Sequence, residues 1–309
     1  MVYAPVVLFC YNRADKLESC LYSLEKNTLV KETDLILFAD GPKNADDRKK
    51  VEQVRCFINQ YQGKSNFNSV KVISQSKNLG LANSIISGVS MVINEYKKVI
   101  VVEDDLMVSD DFLLYMNQAL DYYEGLKEYG SVSGYTYPLP ELKEYGKDIY
   151  ATRKGECWGW GTWIDRWREV DWAISDFSSY LHDRKKRKAF DAVEKGLDRM
   201  LILQQEGKID SWAVRWCYHL FTHHLLTVYP RVSKTQNMGF DGSGTNCEAA
   251  VSSEKHFKDD FELIDYETKY SLAFERLPVN FNLEKKAAKY AYASMGERIV
   301  EKIRLVLKN

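Results

Sequence analysis

The chain has 309 residues, enough for one large α/β unit or two small ones with a sizeable core. Its 43 basic and 44 acidic residues leave a net charge of -1, which argues against a protein that meets nucleic acid or a membrane through its overall field. Cys10, Cys20, Cys56, Cys157, Cys217 and Cys247 show no C-x-x-C spacing, so they read as reduced thiols of a cytoplasmic protein rather than as a structural zinc site. The apolar run at 6–10 is too short for a leader and lacks a basic flank, and nothing reaches the ~18 apolar residues of a membrane span.

Residues 6–10, VVLFC, read as a buried strand. A helix follows from about Ala14, with Leu17, Leu21 and Leu24 on one face. Residues 34–39 form a second strand, closed by the turn Asp40, Gly41, Pro42. Val51, Val54, Ile58 and Tyr61 mark a second helix, 70–74 a third strand, and Asn78, Leu79, Gly80 a turn into a helix over 81–93. The strand at 99–102 is apolar on both faces, as in a parallel sheet covered by helices. Ser109 is placed to cap a helix through Tyr123, and a short fifth strand holds Val132. Beyond it the pattern changes. Residues 135–153 read as a loop or short hairpin, 157–167 carry Trp158, Trp160, Trp163 and Trp167, and 183–205 read as one charged helix. An aromatic helix is expected over 211–226, a strand over 227–229, a glycine-rich loop over 239–246 and a basic amphipathic helix over 285–308.

Strand–helix alternation of this kind implies a doubly wound sheet whose ligands lie outside the carboxyl ends of its strands. Arg13, Asp40 and the trio Glu103, Asp104, Asp105 all fall just after strands. Three adjacent carboxylates repel one another and raise each other's pKa, a cost that a divalent cation removes. Their hard oxygens select Mg²⁺ or Mn²⁺ over zinc. The alternative is a solvated turn ahead of a helix.

The ordered pieces VVLFCYNRADKLESCL, FADGP, NLGLANS, VVEDDL, WGWGTW, IDSW and GFDGSGT resemble GT-A glycosyltransferases. The resemblance covers about residues 4–246. It is nearest to the N-acetylglucosaminyltransferase I type and to bacterial family 2-like transferases of polysaccharide synthesis. It implies an inverting, metal-dependent enzyme that moves a hexosyl or N-acetylhexosaminyl group from a UDP-sugar to a saccharide or lipid-linked saccharide. Carried to this chain, Arg13 meets the diphosphate, Asp40 the uracil and Asn78 the nucleotide side. Asp105 holds Mn²⁺ or Mg²⁺, Asp104 faces the ribose and Glu103 the donor sugar. The loop with Thr245 closes over the diphosphate, and Asn246 stands where some relatives carry a histidine.

The resemblance places a catalytic aspartate directly before a tryptophan. Here the order is Asp210, Ser211, Trp212, so Asp210 is assigned as base, with either Asp210 or Ser211 capping the helix. Trp163 and Trp167 read as core, whereas Trp158 and Trp160 are either core or a platform for the sugar face.

The expected architecture is an α/β, Rossmann-like GT-A fold with a mostly parallel central sheet flanked by helices and a helical C-terminal part. A glycosyltransferase unit spans 1–250, its nucleotide half at 1–134 and its acceptor half at 135–250, with an extension at 251–309. Its basic amphipathic helix either meets an anionic membrane or packs on its own domain or a partner. The expected setting is bacterial surface polysaccharide synthesis, cytoplasmic or peripheral at the inner membrane face. A sugar nucleotidyltransferase and a non-catalytic sugar-binding protein of the same fold are the alternatives. The first usually carries a glycine-rich basic loop that FCYNRADK lacks.

Overall fold

A computed structural model describes residues 3–239 and 272–290. Its first half repeats one unit. Strands β1 (Val6–Cys10), β2 (Asp34–Ala39), β3 (Ser69–Ser74) and β4 (Lys98–Glu103) are joined through α1 (Ala14–Glu25), α2 (Ala45–Gln62) and α3 (Leu81–Tyr96). Parallel neighbours need such crossovers, and the pairings β1–β2, β1–β4 and β2–β3 are all parallel. Register aligns the strand ends. Cys10 lies opposite Ala39 and Phe9 opposite Glu103, so three strands end level. The next residues of each, 11–13, Asp40 and 104–105, therefore emerge at one edge of the sheet.

After β5 (Leu106–Val108) and α4 (Phe112–Tyr123), the chain builds the other half from β6 (Tyr129–Ser133), β7 (Ile149–Thr152) and β8 (Trp160–Trp163). Helices α5 (Ile164–Trp167), α6 (Phe177–His182), α7 (Arg184–Asp191), α8 (Leu197–Gln205) and α9 (Trp212–Thr222) follow, then β9 (Leu226–Pro230) and β10 (Thr235–Asn237). β8 runs antiparallel to β4, with Lys98 opposite Trp163, and continues the sheet to the order β3-β2-β1-β4-β8-β6-β9-β7. The result is the expected mostly parallel α/β sheet with helices on both faces. A separate antiparallel ladder joins β5 to β10, with Leu106 opposite Asn237.

The two cores follow from strand alternation. Val6, Leu8, Leu35, Leu37, Ile100 and Val102 face α1, α2 and α4. Val7, Phe9, Ile36, Phe38, Val99 and Val101 face α3 and α9. α3 lies so close to the sheet that a Cβ on Gly88 would stand 2.7 Å from the Phe9 ring, which explains a glycine in a helix interior. Trp160 is fully buried on the second face, with ring centroids 5.0 Å from Trp212, 5.7 Å from Trp167 and 6.0 Å from Trp216. Trp160 is thus core, as are Trp163 and Trp167, and Trp158 alone of the four is half-exposed.

Some expectations change. The helix expected over 183–205 is two, α7 and α8, because Gly196 takes φ 100° between them. Asp111, not Ser109, is the residue ahead of α4, and the Ser109 hydroxyl donates to its carboxylate at 2.6 Å. The aromatic helix stops at Thr222, and Leu226 already belongs to β9. Within 135–153, β7 pairs with the distant β9 rather than in a local hairpin.

Residues 272–290 return to the sheet. The Tyr129 hydroxyl donates to the Leu277 carbonyl at 2.8 Å and lies 2.7 Å from its amide nitrogen, and Asn280 N–H donates to the Ala151 carbonyl. Residues 281–290 are helical. Leu283 and Ala287 join Tyr135, Tyr137, Leu139, Tyr150 and Tyr229 in a cluster, and Lys286 pairs with Glu141 at 2.6 Å. This part of the expected C-terminal helix covers its own protein with its apolar face. Thr245, Asn246 and residues 291–308 lie outside the described residues. No helix among the described residues is long and apolar enough to cross a membrane.

Candidate functional site

The acid trio ends β4 and opens the turn into β5. Asp104 and Asp105 are buried and Glu103 is half-buried. Arg13, the residue ahead of α1, turns back across the strand ends and sets one guanidinium nitrogen between them, in contact with Asp104 Oδ1 and 2.9 Å from Asp105 Oδ2. Burial opposes the arginine's charge, but the two aspartates outweigh it and hold the guanidinium firmly protonated. Burial and then the neighbouring Asp105 and Asp104 push the Glu103 carboxyl up to about 8. Burial lifts Asp104 to about 6 against the pull of Arg13. Two aspartates and the Glu103 carboxyl thus share one guanidinium. The other Arg13 terminal nitrogen, Nη1, is buried without a hydrogen-bond partner among the described residues. Among the described residues no three His, Cys, Asp or Glu side chains converge as a ready-made cation site.

A second strand of chain frames the acids. Met238 N–H donates to the Asp105 carbonyl at 2.7 Å, and Lys16 Nζ donates to the Met238 carbonyl at 3.0 Å. A Cβ on Gly239 would collide with the Asp105 carboxylate, so a larger residue there would have to push that carboxylate aside. The ladder of β5 and β10 fixes this approach. Lys234, one residue before β10, forms a buried ion pair with Asp111 at 2.5 Å. Sequence reading missed Lys16, Lys234 and Asn237, whose side-chain oxygen accepts from Gly239 N–H at 2.7 Å. All three depend on contacts more than 100 residues apart or on the close turn at 237–239, for which isolated lysines and an asparagine give no signal.

Asp40 leaves β2 and is buried. Its Oδ1 accepts from Gly41 N–H at 2.8 Å and Leu79 N–H at 2.9 Å, and its Oδ2 from Gly80 N–H and the Asn78 amide, both at 3.1 Å. Those four donors use the acceptor capacity of a carboxylate. Asp40 thereby orders the 78–80 turn, and Asn78 also donates to the Gly41 carbonyl at 2.9 Å. A nucleotide base at Asp40 has to exchange one of these bonds.

Asp210 comes to the same turn. Its Oδ2 is 3.7 Å from the point where a Cβ on Gly80 would stand. Ser211, not Asp210, caps α9, its hydroxyl accepting from Val214 N–H at 3.3 Å. Asp210 is left about half-exposed, with Arg215 at 3.3 Å as its one hydrogen-bonding partner among the described residues. A carboxylate free of capping duty and open to solvent is available to accept a proton.

Trp158 lies in the loop before β8. Its ring meets Tyr135 edge-on at 4.6 Å, and its carbonyl accepts from the Thr235 hydroxyl at 2.8 Å. The structure therefore brings Arg13 onto Asp104 and Asp105, Asn78 onto Asp40, and Asp210 onto the turn that Asp40 holds.

Residues 6–164 match the family model described as glycosyl transferase family 2. No curated protein matches the chain. Among solved structures, TarS of S. aureus matches over 97% of this chain and 80% of its own residues 1–349, at 11% identity and a TM-score of 0.47. A longer TarS chain matches at 18% identity and a TM-score of 0.33 over 42% of this chain, which spans 21% of that one. The mannosyltransferase PcManGT from Pyrobaculum calidifontis, solved with GDP-Man and Mn²⁺, matches over 96% of this chain and 88% of its own, at 11% identity and a TM-score of 0.42.

Proposed function

The chain belongs to glycosyl transferase family 2, and from that premise we propose that it is an inverting glycosyltransferase that moves a sugar from a UDP-sugar to a saccharide or lipid-linked saccharide. The observation that carries this reading is the meeting of separate parts of the chain at one sheet edge: Arg13 on the acid trio, and Asp210 beside the turn held by Asp40. The finer resemblance to the N-acetylglucosaminyltransferase I type, and a cytoplasmic role in bacterial surface polysaccharide synthesis, belong to the same proposal.

In this reading Asp210 accepts the proton of the acceptor hydroxyl as its oxygen attacks the anomeric carbon. The bond from that carbon to the diphosphate oxygen breaks on the opposite face, so configuration inverts and a nucleoside diphosphate leaves. Asp105 is the proposed ligand of Mn²⁺ or Mg²⁺, a choice supported by the hard oxygen donors and by the cationic partner they already hold. When bound, that ion supplies charge neutralisation at the leaving diphosphate. Asp104 faces the ribose, Glu103 the donor sugar and Trp158 its ring face. Asn78 retains its bond to Gly41 while Asp40 Oδ2 turns to the uracil imide. Thr245 is proposed to reach the diphosphate from the segment after Gly239. Membrane contact, if made through the helix at 281–290, uses its exposed Lys285 and Lys289, since Leu283 and Ala287 face the protein.

The test is calorimetric titration with UDP-, GDP- and dTDP-sugars, with and without Mn²⁺, followed by assay of the released nucleotide with candidate acceptors. Mn²⁺-dependent binding of a UDP-sugar, lost in Asp105→Ala, and release of UDP are the expected results. Release of pyrophosphate instead would mark a nucleotidyltransferase, and failure of the folded protein to bind any nucleotide sugar would end the proposal.

A further inference from the structure

Arg13 already supplies positive charge to the acid trio. One guanidinium nitrogen bridges Asp104 Oδ1 and Asp105 Oδ2. A divalent ion needs carboxylate oxygens as close ligands, about 2.0–2.1 Å for Mg²⁺, and Asp105 Oδ2 already accepts from the guanidinium. Two positive centres a few ångströms apart in a buried setting also repel strongly. Meanwhile Arg13 Nη1 is buried without a partner, a donor that no group among the described residues satisfies. The backbone of Arg13 is fixed, because its carbonyl accepts from Leu17 N–H at 3.1 Å as the first bond of α1, so a change of partner is confined to the side chain.

We infer that Arg13 is the resident counter-ion of the acid motif, that it competes with the divalent cation for Asp104 and Asp105, and that a diphosphate relieves the competition by accepting the guanidinium. The inference deepens the function proposed above and rests on it for the identity of the diphosphate. It makes metal affinity conditional on nucleotide. Without nucleotide the arginine holds both carboxylates and metal binds weakly. A diphosphate offers both terminal nitrogens of the guanidinium a charge-assisted bidentate site, satisfying Nη1 as well. The carboxylates are then released to metal. Coupling is reciprocal, so metal tightens nucleotide binding by the same factor.

The experiment is titration of Mn²⁺ alone into the full chain, then in the presence of UDP, with Arg13→Gln and Arg13→Lys beside the parent protein and thermal melting to confirm folding. Arg13→Gln should bind Mn²⁺ alone roughly tenfold more tightly than the parent, and UDP should enhance Mn²⁺ binding by a smaller factor than it does in the parent. Arg13→Lys, which keeps the charge but loses the planar fork, should fall between them and also serves if Arg13→Gln does not fold. Asp105→Asn should remove the tightened site. Equal or weaker Mn²⁺ affinity in folded Arg13→Gln, or in Arg13→Lys where only that variant folds, overturns the inference, as does a tightened site that survives Asp105→Asn. The Mn²⁺-only arm reads this point without any sugar donor. A protein that shows the tightening yet binds no UDP-sugar would keep the competition and lose the UDP-sugar reading.

Discussion

At the scale of single residues, the division of labour between Asp210 and Ser211 gives a sharp expectation. Ser211 makes the capping bond, so Asp210→Asn removes a proton acceptor without unpinning α9. Turnover should fall roughly 10²- to 10⁴-fold while UDP-sugar affinity stays within a factor of two. Single-turnover kinetics and calorimetry separate the two, and near-parental kcat would remove Asp210 from the chemistry. Arg13, Asp40, the acid trio and Asp210 were visible in sequence because each follows a strand or precedes a helix. Their partners were not. Arg13 and the aspartates are 91 and 92 positions apart, and only strand register brings them level. The fourfold engagement of Asp40 was equally hidden, since an Asp-Gly pair signals a turn but not which distant amides its carboxylate will collect.

At the scale of elements, α9 carries two further consequences. Ser211→Ala should cost about 1 kcal/mol of stability, the usual value of an N-cap hydroxyl, measured as a shift in urea midpoint. His219, deep in the same helix, stacks on Trp216 at 5.6 Å and has a buried Nε2 without a partner among the described residues. Burial, with a smaller push from His223, lowers it from 6.5 to about 4. The unfolded chain therefore binds a proton that the folded chain refuses across that window. Stability is fully present above pH 6.5 and declines as pH falls towards 4, by up to about 3 kcal/mol from this group. Denaturation at pH 7, 5 and 4 should show that decline, and His219→Gln should flatten it. A pH slope unchanged by His219→Gln would place its origin elsewhere. Most elements of the first half were legible because long apolar runs and 3.6-residue periodicity are strong signals. β8 was not, since four residues are too few to display alternation, and its Trp160 consequently read as either core or platform. The break at Gly196 did have a signal, a glycine inside a helical pattern, overridden by the charged residues on both sides.

At the scale of the whole molecule, the returning segment ties distant parts together. The Glu284 carboxylate is nearly inaccessible and accepts from Arg153 N–H at 2.9 Å and from its guanidinium. Glu284→Ala leaves Arg153 beside a cavity with an unmet amide. It should lower stability by about 2 kcal/mol, below the full cost of an orphaned buried charge because the arginine is partly exposed, and lower Tm by roughly 4–8 °C. Scanning calorimetry checks it, and an unchanged Tm would mean the segment is energetically idle. The sequence predicts a basic amphipathic helix over 285–308, and of that stretch only 285–290 is described; Leu283 and Ala287 of the helical residues 281–290 meet a surface the sequence does not reveal. That surface is assembled from Tyr135, Tyr150 and Tyr229, which lie on three separate stretches of chain.

The Tyr129–Leu277 bond spans 148 residues. During synthesis, at roughly 5–20 residues per second, β6 waits on the order of ten seconds for the segment that seals Tyr129. Over that interval the nascent chain carries aromatic side chains that a later-made segment covers.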